Sequence, residues 1–180
     1  TGQIGAIVAR LLWHLRCDVV AFDPVVNQGL VDLGVTYVEL DEALAAADIV
    51  TLNCPLNEHT HHLIDEASIA TMKPGAMLVN TGRGALIDTA AVLDALKSGH
   101  IGSLALDVYE EEGDLFFEDR SDEILDDDNF ARLLTYPNVL ITAHQAFLTH
   151  EALGAIAETT LVNVEAVLAG DVCANSVTAS

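Results

Sequence analysis

The stretch Ala76-Met77-Leu78-Val79-Asn80-Thr81-Gly82-Arg83-Gly84 sets an apolar run against a polar, glycine-flanked arginine. Ala76 to Val79 reads as a buried strand, and Asn80 to Gly84 reads as the turn at its carboxyl end. Two further segments repeat the pattern. Ile101 to Leu106 leads into Asp107-Val108-Tyr109-Glu110-Glu111-Glu112, and Val139 to Thr142 leads into His144-Gln145-Ala146-Phe147. In an open parallel sheet, ligands bind in the crevice beyond the carboxyl ends of the strands. An arginine, a carboxylate and a histidine at three such ends are therefore expected to meet. A guanidinium fork grips a carboxylate through two parallel hydrogen bonds, and a histidine paired with a glutamate can give and take a proton. These groups suit an enzyme acting on a small acid that bears a carbonyl or hydroxyl.

Outward from these segments the elements alternate in a βα rhythm, which predicts a parallel sheet covered by helices. Ile4, Ile7, Val8, Leu11, Leu12 and Leu15 recur at helical spacing. Strands are expected over Asp18–Asp23, Thr36–Val38 and Ile49–Leu52, and helices over Asn27–Leu33, from Asp41 to Ala47, and from Asp65 to Met72. Asp41, Asp65 and Asp88 are the expected caps, and Gly99 the expected stop of the helix after Asp88. A long periodic stretch begins after Thr149 and stops at Gly170. Glu110 to Asp128 is the only long irregular piece, and Leu115, Phe116 and Phe117 at its middle are expected to pack.

The chain opens on Thr1-Gly2-Gln3-Ile4-Gly5, the tail of a G-x-G-x-x-G motif without its first glycine. Gly2 and Gly5 let a backbone approach a pyrophosphate at a helix N-terminus, where N–H groups and the dipole favour anions. Asp23 closes the next strand, 18 residues after Gly5. That placement suits an acid accepting hydrogen bonds from adenosine ribose hydroxyls, which favours NAD over NADP. The expected fold is α/β, a doubly wound parallel sheet of Rossmann type whose first strand is missing, and the chain is expected to be a piece of a longer protein. Residues 1–147 are expected to form the dinucleotide-binding domain. Residues 148–180 are expected to be a long helix and tail returning to a substrate domain.

Seven lysines and arginines face 28 carboxylates among 180 residues, for a formal net charge of −21. Such a surface argues against nucleic acid, whose phosphates need cations. It fits either an ordinarily acidic soluble enzyme or adaptation to high salt, where screening relieves self-repulsion. Uninterrupted apolar runs fall well short of the ~20 residues of a membrane span, so no membrane partner is expected. Cys17, Cys54 and Cys173 are widely spaced and odd in number, which predicts no disulfide framework and a cytoplasmic setting.

The chain resembles the D-isomer-specific 2-hydroxyacid dehydrogenases, most closely the bacterial fermentative branch that makes D-lactate. The resemblance spans residues 1 to about 172. It is strongest in Asp114-Leu115-Phe116-Phe117-Glu118-Asp119-Arg120-Ser121, in Asp126 to Phe130, and from Pro137 through His144-Gln145-Ala146-Phe147 to Thr149. It implies an NAD-dependent oxidoreductase passing a hydride between NADH and pyruvate. Arg83 would bind the substrate carboxylate, Glu112 would pair with the histidine, and His144 would be the acid and base. Gln3, Ile4, Asp23, Cys54, Pro55, Thr60, Thr81, Gly82, Arg83 and Asp107 match positions lining the cofactor, and Phe147 a position near the substrate methyl. The resemblance further implies a small 2-oxo or 2-hydroxy acid as substrate and a homodimer or higher homo-oligomer. The family's N-terminal substrate domain is absent from this chain, so the fragment alone is expected to be inactive. The competing readings are a dehydrogenase for another 2-hydroxy acid and a non-catalytic NADH-sensing scaffold.

Each residue also has a blander reading. A lone arginine usually pairs with a surface acid, but flanking glycines at a strand end make Arg83 functional. Glu110, Glu111 and Glu112 form a run, and spacing alone does not choose among them. Only the resemblance selects Glu112. His59, His61 and His62 invite a metal, but no acid or cysteine is spaced in sequence to complete a tetrahedral site, so no metal is expected. Asp126-Asp127-Asp128 lacks the alternation and glycine of a calcium loop and reads as a capped helix start.

Overall fold

Four helices begin in the same way, with a short oxygen-bearing side chain accepting a backbone N–H that the helix cannot otherwise satisfy. Asp65 accepts from the Ser68 N–H at 2.8 Å, and the Ser68 hydroxyl accepts the Asp65 N–H in return. The Ser68 N–H holds the Asp65 carboxyl below the usual carboxylate range. Asp88 accepts from Ala91, Asp127 from Asn129 and Phe130, and Thr149 from Ala152. Gly99 and Gly170 end their helices in the left-handed conformation, with φ of 78° and 76°, where a side chain would be strained.

The computed structural model describes residues 1–114 and 127–176. In chain order these form α1 (Gln3–His14), β1 (Val20–Ala21), α2 (Gln28–Val31), β2 (Thr36–Tyr37), α3 (Leu40–Ala46), β3 (Ile49–Leu52), α4 (Glu66–Thr71), β4 (Ala76–Asn80), α5 (Thr89–Ser98), β5 (Ile101–Leu106), α6 (Asp128–Leu133), β6 (Val139–Ile141) and α7 (His150–Ala169). All paired strands are parallel, in a two-stranded sheet β1-β2 and a four-stranded sheet β3-β4-β5-β6. The sequential order β3 to β6 sets their carboxyl ends side by side. Beneath the larger sheet lies the main core, with Ile64, Leu78, Leu86, Leu93 and Ile101 fully or almost fully buried. A smaller cluster of Ala9, Leu30 and Val35 packs under β1-β2.

Several elements differ from expectation. The strand over Asp18–Asp23 is regular only at Val20–Ala21, and the helix over Asn27–Leu33 only at Gln28–Val31. Asp41 does not cap α3. Glu39 holds the N-cap position without a side-chain bond, and Asp41 lies inside the first turn, where its charge favours the helix dipole. α1 forms as its periodicity predicts, yet it buries Gly5 and Ala9 and leaves Ile4, Ile7 and Leu11 largely exposed. Small residues let the helix approach the sheet closely, so its larger apolar side chains point elsewhere. Leu115, Phe116, Phe117 and Asp126 lie outside the described residues.

The chain divides into two compact units, Thr1–His144 and Gln145–Ser180. The second is built on α7, which has no buried residue. By length and mean hydropathy (1.4) α7 is apolar enough to cross a membrane, which a search for uninterrupted apolar runs does not reveal. Glu151, Glu158 and Glu165 recur every seventh residue and mark one side of it. A carboxylate such as Glu158 at the middle of a bilayer costs about 2.5–3.5 kcal/mol on insertion scales, so length and apolarity alone do not make α7 a span.

Candidate active site

Asn80, the last residue of β4, is fully buried, and its amide closes the turn that presents Arg83. Its Oδ1 accepts from the Gly82 N–H at 3.0 Å and its Nδ2 donates to the Arg83 carbonyl at 2.8 Å. A Cβ at Gly82 would sit 3.3 Å from Leu86 Cδ1, and one at Gly84 would sit 2.1 Å from the Tyr109 carbonyl. The Arg83 turn and the segment after β5 are thus in backbone contact. The Arg83 side chain is exposed, and Nη1 donates to the Gly82 carbonyl at 2.7 Å. Among the described residues no carboxylate pairs with it. In a chain so rich in acids, an unpaired guanidinium at a strand end is poised for an external carboxylate.

The segment after β5 settles which glutamate serves the histidine. Glu112 Oε1 lies 2.8 Å from His144 Nδ1, and Glu112 Oε2 accepts the Tyr109 N–H at 3.0 Å. Both oxygens are therefore engaged and the carboxylate is fixed. Glu111 is exposed, and Glu110 turns the other way to His62 and Thr89. Asp107 is buried, accepts the Thr142 hydroxyl at 2.5 Å, and takes the His144 N–H on its carbonyl. His144 comes directly after Ala143, and both hold φ of 54°. Two consecutive left-handed residues with side chains cost on the order of 1–3 kcal/mol each. Here the Asp107 carbonyl and the Glu112 carboxylate hold the second of them. Tyr109 donates to Asp127 Oδ2 at 2.6 Å, and burial with that carboxylate pushes its hydroxyl far above the usual range.

At the amino end, Gly2 is the N-cap of α1 and offers no side-chain acceptor to the first turn. The first N–H groups of α1 are thereby left for an anion, with Gln3 and Ile4 in that turn. Gly5 meets the end of β3, where a Cβ would lie 3.2 Å from Asn53 Cβ. Cys54 and Pro55 come next in the chain, and Thr60 folds their loop by bonding the Pro55 carbonyl at 2.6 Å. Burial raises the Cys54 thiol above its ordinary value, so the thiol stays protonated and neutral. Asp23 lies just past β1. Its carboxylate accepts the Val25 N–H at 2.8 Å and the Thr1 hydroxyl at 3.0 Å. An ionised acid, an open helix N-terminus and a glycine at a tight crossing fit a dinucleotide with free ribose hydroxyls.

Tyr37, in this half, was passed over by sequence reasoning, and Asn80, in the other, was read only as the start of a turn. Tyr37 at the end of β2 donates to the Thr1 hydroxyl at 2.8 Å, and Asn80 builds the Arg83 turn. Only the buried end of an apolar run could have signalled Asn80. Thr81 and Gly82 lie in that turn. Phe147 belongs to the second unit and is 47% exposed. The structure also brings an acid to the histidines where sequence spacing offered none. His61, His62 and Glu110 place one donor atom each within 4.8 Å of one another.

Comparison with known proteins shows the family and the fold. Residues 1–146 match the family described as D-isomer specific 2-hydroxyacid dehydrogenase, NAD binding domain. The D-lactate dehydrogenase of Escherichia coli is 48% identical over 175 residues, 97% of this chain and 53% of that protein. The solved pyruvate reductase of Chlamydomonas reinhardtii superposes with a TM-score of 0.93 at 48% identity, over 97% of this chain and 54% of that one. The D-lactate dehydrogenase of Aquifex aeolicus, solved with NAD and lactic acid, gives 0.88 at 36% identity, over 95% and 52%. The chain spans about half the length of the curated relatives it matches. Matched over residues 1–146 by this family and 48% identical to one of the D-lactate dehydrogenases, the chain belongs to the D-isomer specific 2-hydroxyacid dehydrogenase family, as its NAD-binding domain.

Proposed function

We propose that the full-length protein containing this chain is a D-lactate dehydrogenase that reduces pyruvate. The observation that carries the reading is the Glu112–His144 pair, 2.8 Å across, one strand away from a guanidinium with no acid partner among the described residues. The similarity to D-lactate dehydrogenases and to a pyruvate reductase supports pyruvate over larger 2-oxo acids. Reduced nicotinamide, when bound, supplies the hydride that C2 receives. Arg83 grips the carboxylate of the 2-oxo acid in a bidentate fork and sets positive charge beside the oxygen on which negative charge develops. With Nδ1 donating to Glu112, His144 Nε2 is the atom that gives its proton to that oxygen, and in lactate oxidation it takes the proton back. Steady-state kinetics with pyruvate, oxaloacetate, glyoxylate and phenylpyruvate, with the product's chirality determined, test this. Highest kcat/KM for pyruvate with a D product is expected. NADH binding without turnover of any of the four would overturn the reading in favour of a sensing scaffold.

Two expected results bear on single residues. Asp23 repels a 2′-phosphate, so NADH should be preferred over NADPH by at least about tenfold in kcat/KM, roughly 1.4 kcal/mol. Equal values would remove Asp23 from the ribose site. Glu112→Gln keeps the shape but loses the charge that orients the imidazole, so kcat should fall by an order of magnitude or more with little change in KM. Glu111→Gln is the control on the same acidic run. Equal losses in both variants would show that the run acts through its charge and not through the bond to His144.

A further inference from the structure

The two segments that carry substrate chemistry, the Arg83 turn and the loop to Glu112, are both tied to a third that carries none. The His62 N–H donates to the Ala85 carbonyl at 2.8 Å, and Ile64 exchanges backbone bonds with Leu86 and Asp88. Residues 62–64 thus run alongside the chain that leaves Arg83. The His62 side chain points the other way, with Nε2 2.6 Å from Glu110 Oε1. The second Glu110 oxygen accepts the Thr89 hydroxyl at 2.9 Å, which anchors the carboxylate to the start of α5. Both members of the pair are partly shielded from water, at 32% and 22% side-chain exposure, so the bond is worth more than an open surface pair. His62 also holds φ of 49°, a left-handed conformation that a residue with a side chain adopts only when its surroundings impose it.

We propose that His62 is a positioning residue. Bonded by its backbone to Ala85, two residues past Arg83, and by its side chain to Glu110, it sets the Arg83 turn relative to the loop that carries Glu112 and so to the imidazole of His144. The proposal rests on the reading of Arg83 and His144 as substrate-binding and acid–base groups. Misplacement of reacting groups by about 1 Å can cost on the order of a hundredfold in rate, so a clamp that touches no substrate still governs turnover. Because it joins the carboxylate-binding group to the acid–base pair, its loss should show in both kinetic constants for the 2-oxo acid.

The test is steady-state kinetics of the full-length enzyme with pyruvate and NADH for wild type, His62→Ala, His62→Gln, Glu110→Gln, Glu110→Ala and His62→Ala/Glu110→Ala. NADH dissociation constants and thermal unfolding are measured alongside. His62→Ala should lower kcat/KM for pyruvate by about thirtyfold or more, with kcat reduced and KM raised, while the NADH constant stays within about twofold. His62→Gln keeps a donor within reach of Glu110 and should recover most of the loss. The double variant should be little worse than His62→Ala alone, because residues acting through one bond are not additive. Unchanged pyruvate kinetics in His62→Ala, glutamine no better than alanine, or additive losses in the double variant would each overturn the clamp. If His62→Ala does not fold, His62→Gln and Glu110→Gln carry the decision. Glu110→Gln should then impair pyruvate kinetics and leave NADH binding intact, and a Glu110→Gln enzyme with wild-type pyruvate kinetics overturns the proposal. A wild-type enzyme that binds NADH yet reduces no 2-oxo acid would instead overturn the underlying activity, which keeps the two failures apart.

Discussion

Replacing His144 with glutamine in the full-length protein should lower kcat for pyruvate reduction by about 10²- to 10⁴-fold, the span that general acid–base groups contribute. KM for pyruvate should change little, because the proton passes only as the transition state forms. Glutamine can still bond a substrate oxygen, but it cannot shuttle a proton. The loss should appear in lactate oxidation as well, since the same nitrogen receives the proton in that direction. Measuring kcat and KM in both directions is the check. A variant that loses reduction alone, or that raises KM with kcat intact, would mean that His144 binds substrate without exchanging a proton.

Arg83→Lys carries the second large effect. Lysine keeps one positive charge but presents a point charge in place of a planar fork. Hydrogen bonds to charged groups contribute about 1.5–3 kcal/mol, so losing one arm of the fork should lower kcat/KM for pyruvate by about 10- to 100-fold. KM should rise because the carboxylate is held less well. In addition kcat should fall, because charge beside the developing oxyanion is displaced. A smaller effect is expected on NADH binding, for which Gly2, Gly5 and Asp23 are the main proposed contacts. Wild-type kinetics in Arg83→Lys would make the arginine a structural residue, and the Asn80-closed turn would need another purpose.

Strand ends were legible to within one residue where an apolar run gave way to polar residues: Val79, Leu106 and Thr142 were expected, and Asn80, Leu106 and Ile141 are observed. Caps were legible where the side chain competes well for a backbone N–H, as at Asp65 and Asp88. They were not legible at Asp41, which lies two positions past the cap at Glu39, because an acid favours the helix in either place. The glutamate run could not be resolved from spacing. The choice among Glu110, Glu111 and Glu112 depends on how the short turn after Tyr109 aims each side chain, and three like residues in a row carry no record of that. The His62–Glu110 bond spans 48 positions, a pairing that local pattern cannot foresee. The exposed apolar side of α1 shows the limit of periodicity, which reveals that a helix has a preferred face and leaves its partner unnamed.

The backbone contact at Gly84 has a consequence for anyone wishing to alter what the protein acts on. A glycine whose Cβ would come 2.1 Å from the Tyr109 carbonyl leaves no slack between the Arg83 turn and the glutamate loop. A replacement turn must keep glycine at position 84, or the Tyr109 carbonyl must shift to receive it. A chimera that imports residues 80–84 alone would inherit the donor's turn against a mismatched seat. One that imports 80–88 together with 107–112 and the His62 strap carries the whole joint. The units of exchange for engineering, and for divergence within the family, are therefore defined by which backbones touch and not by the order of residues along the chain.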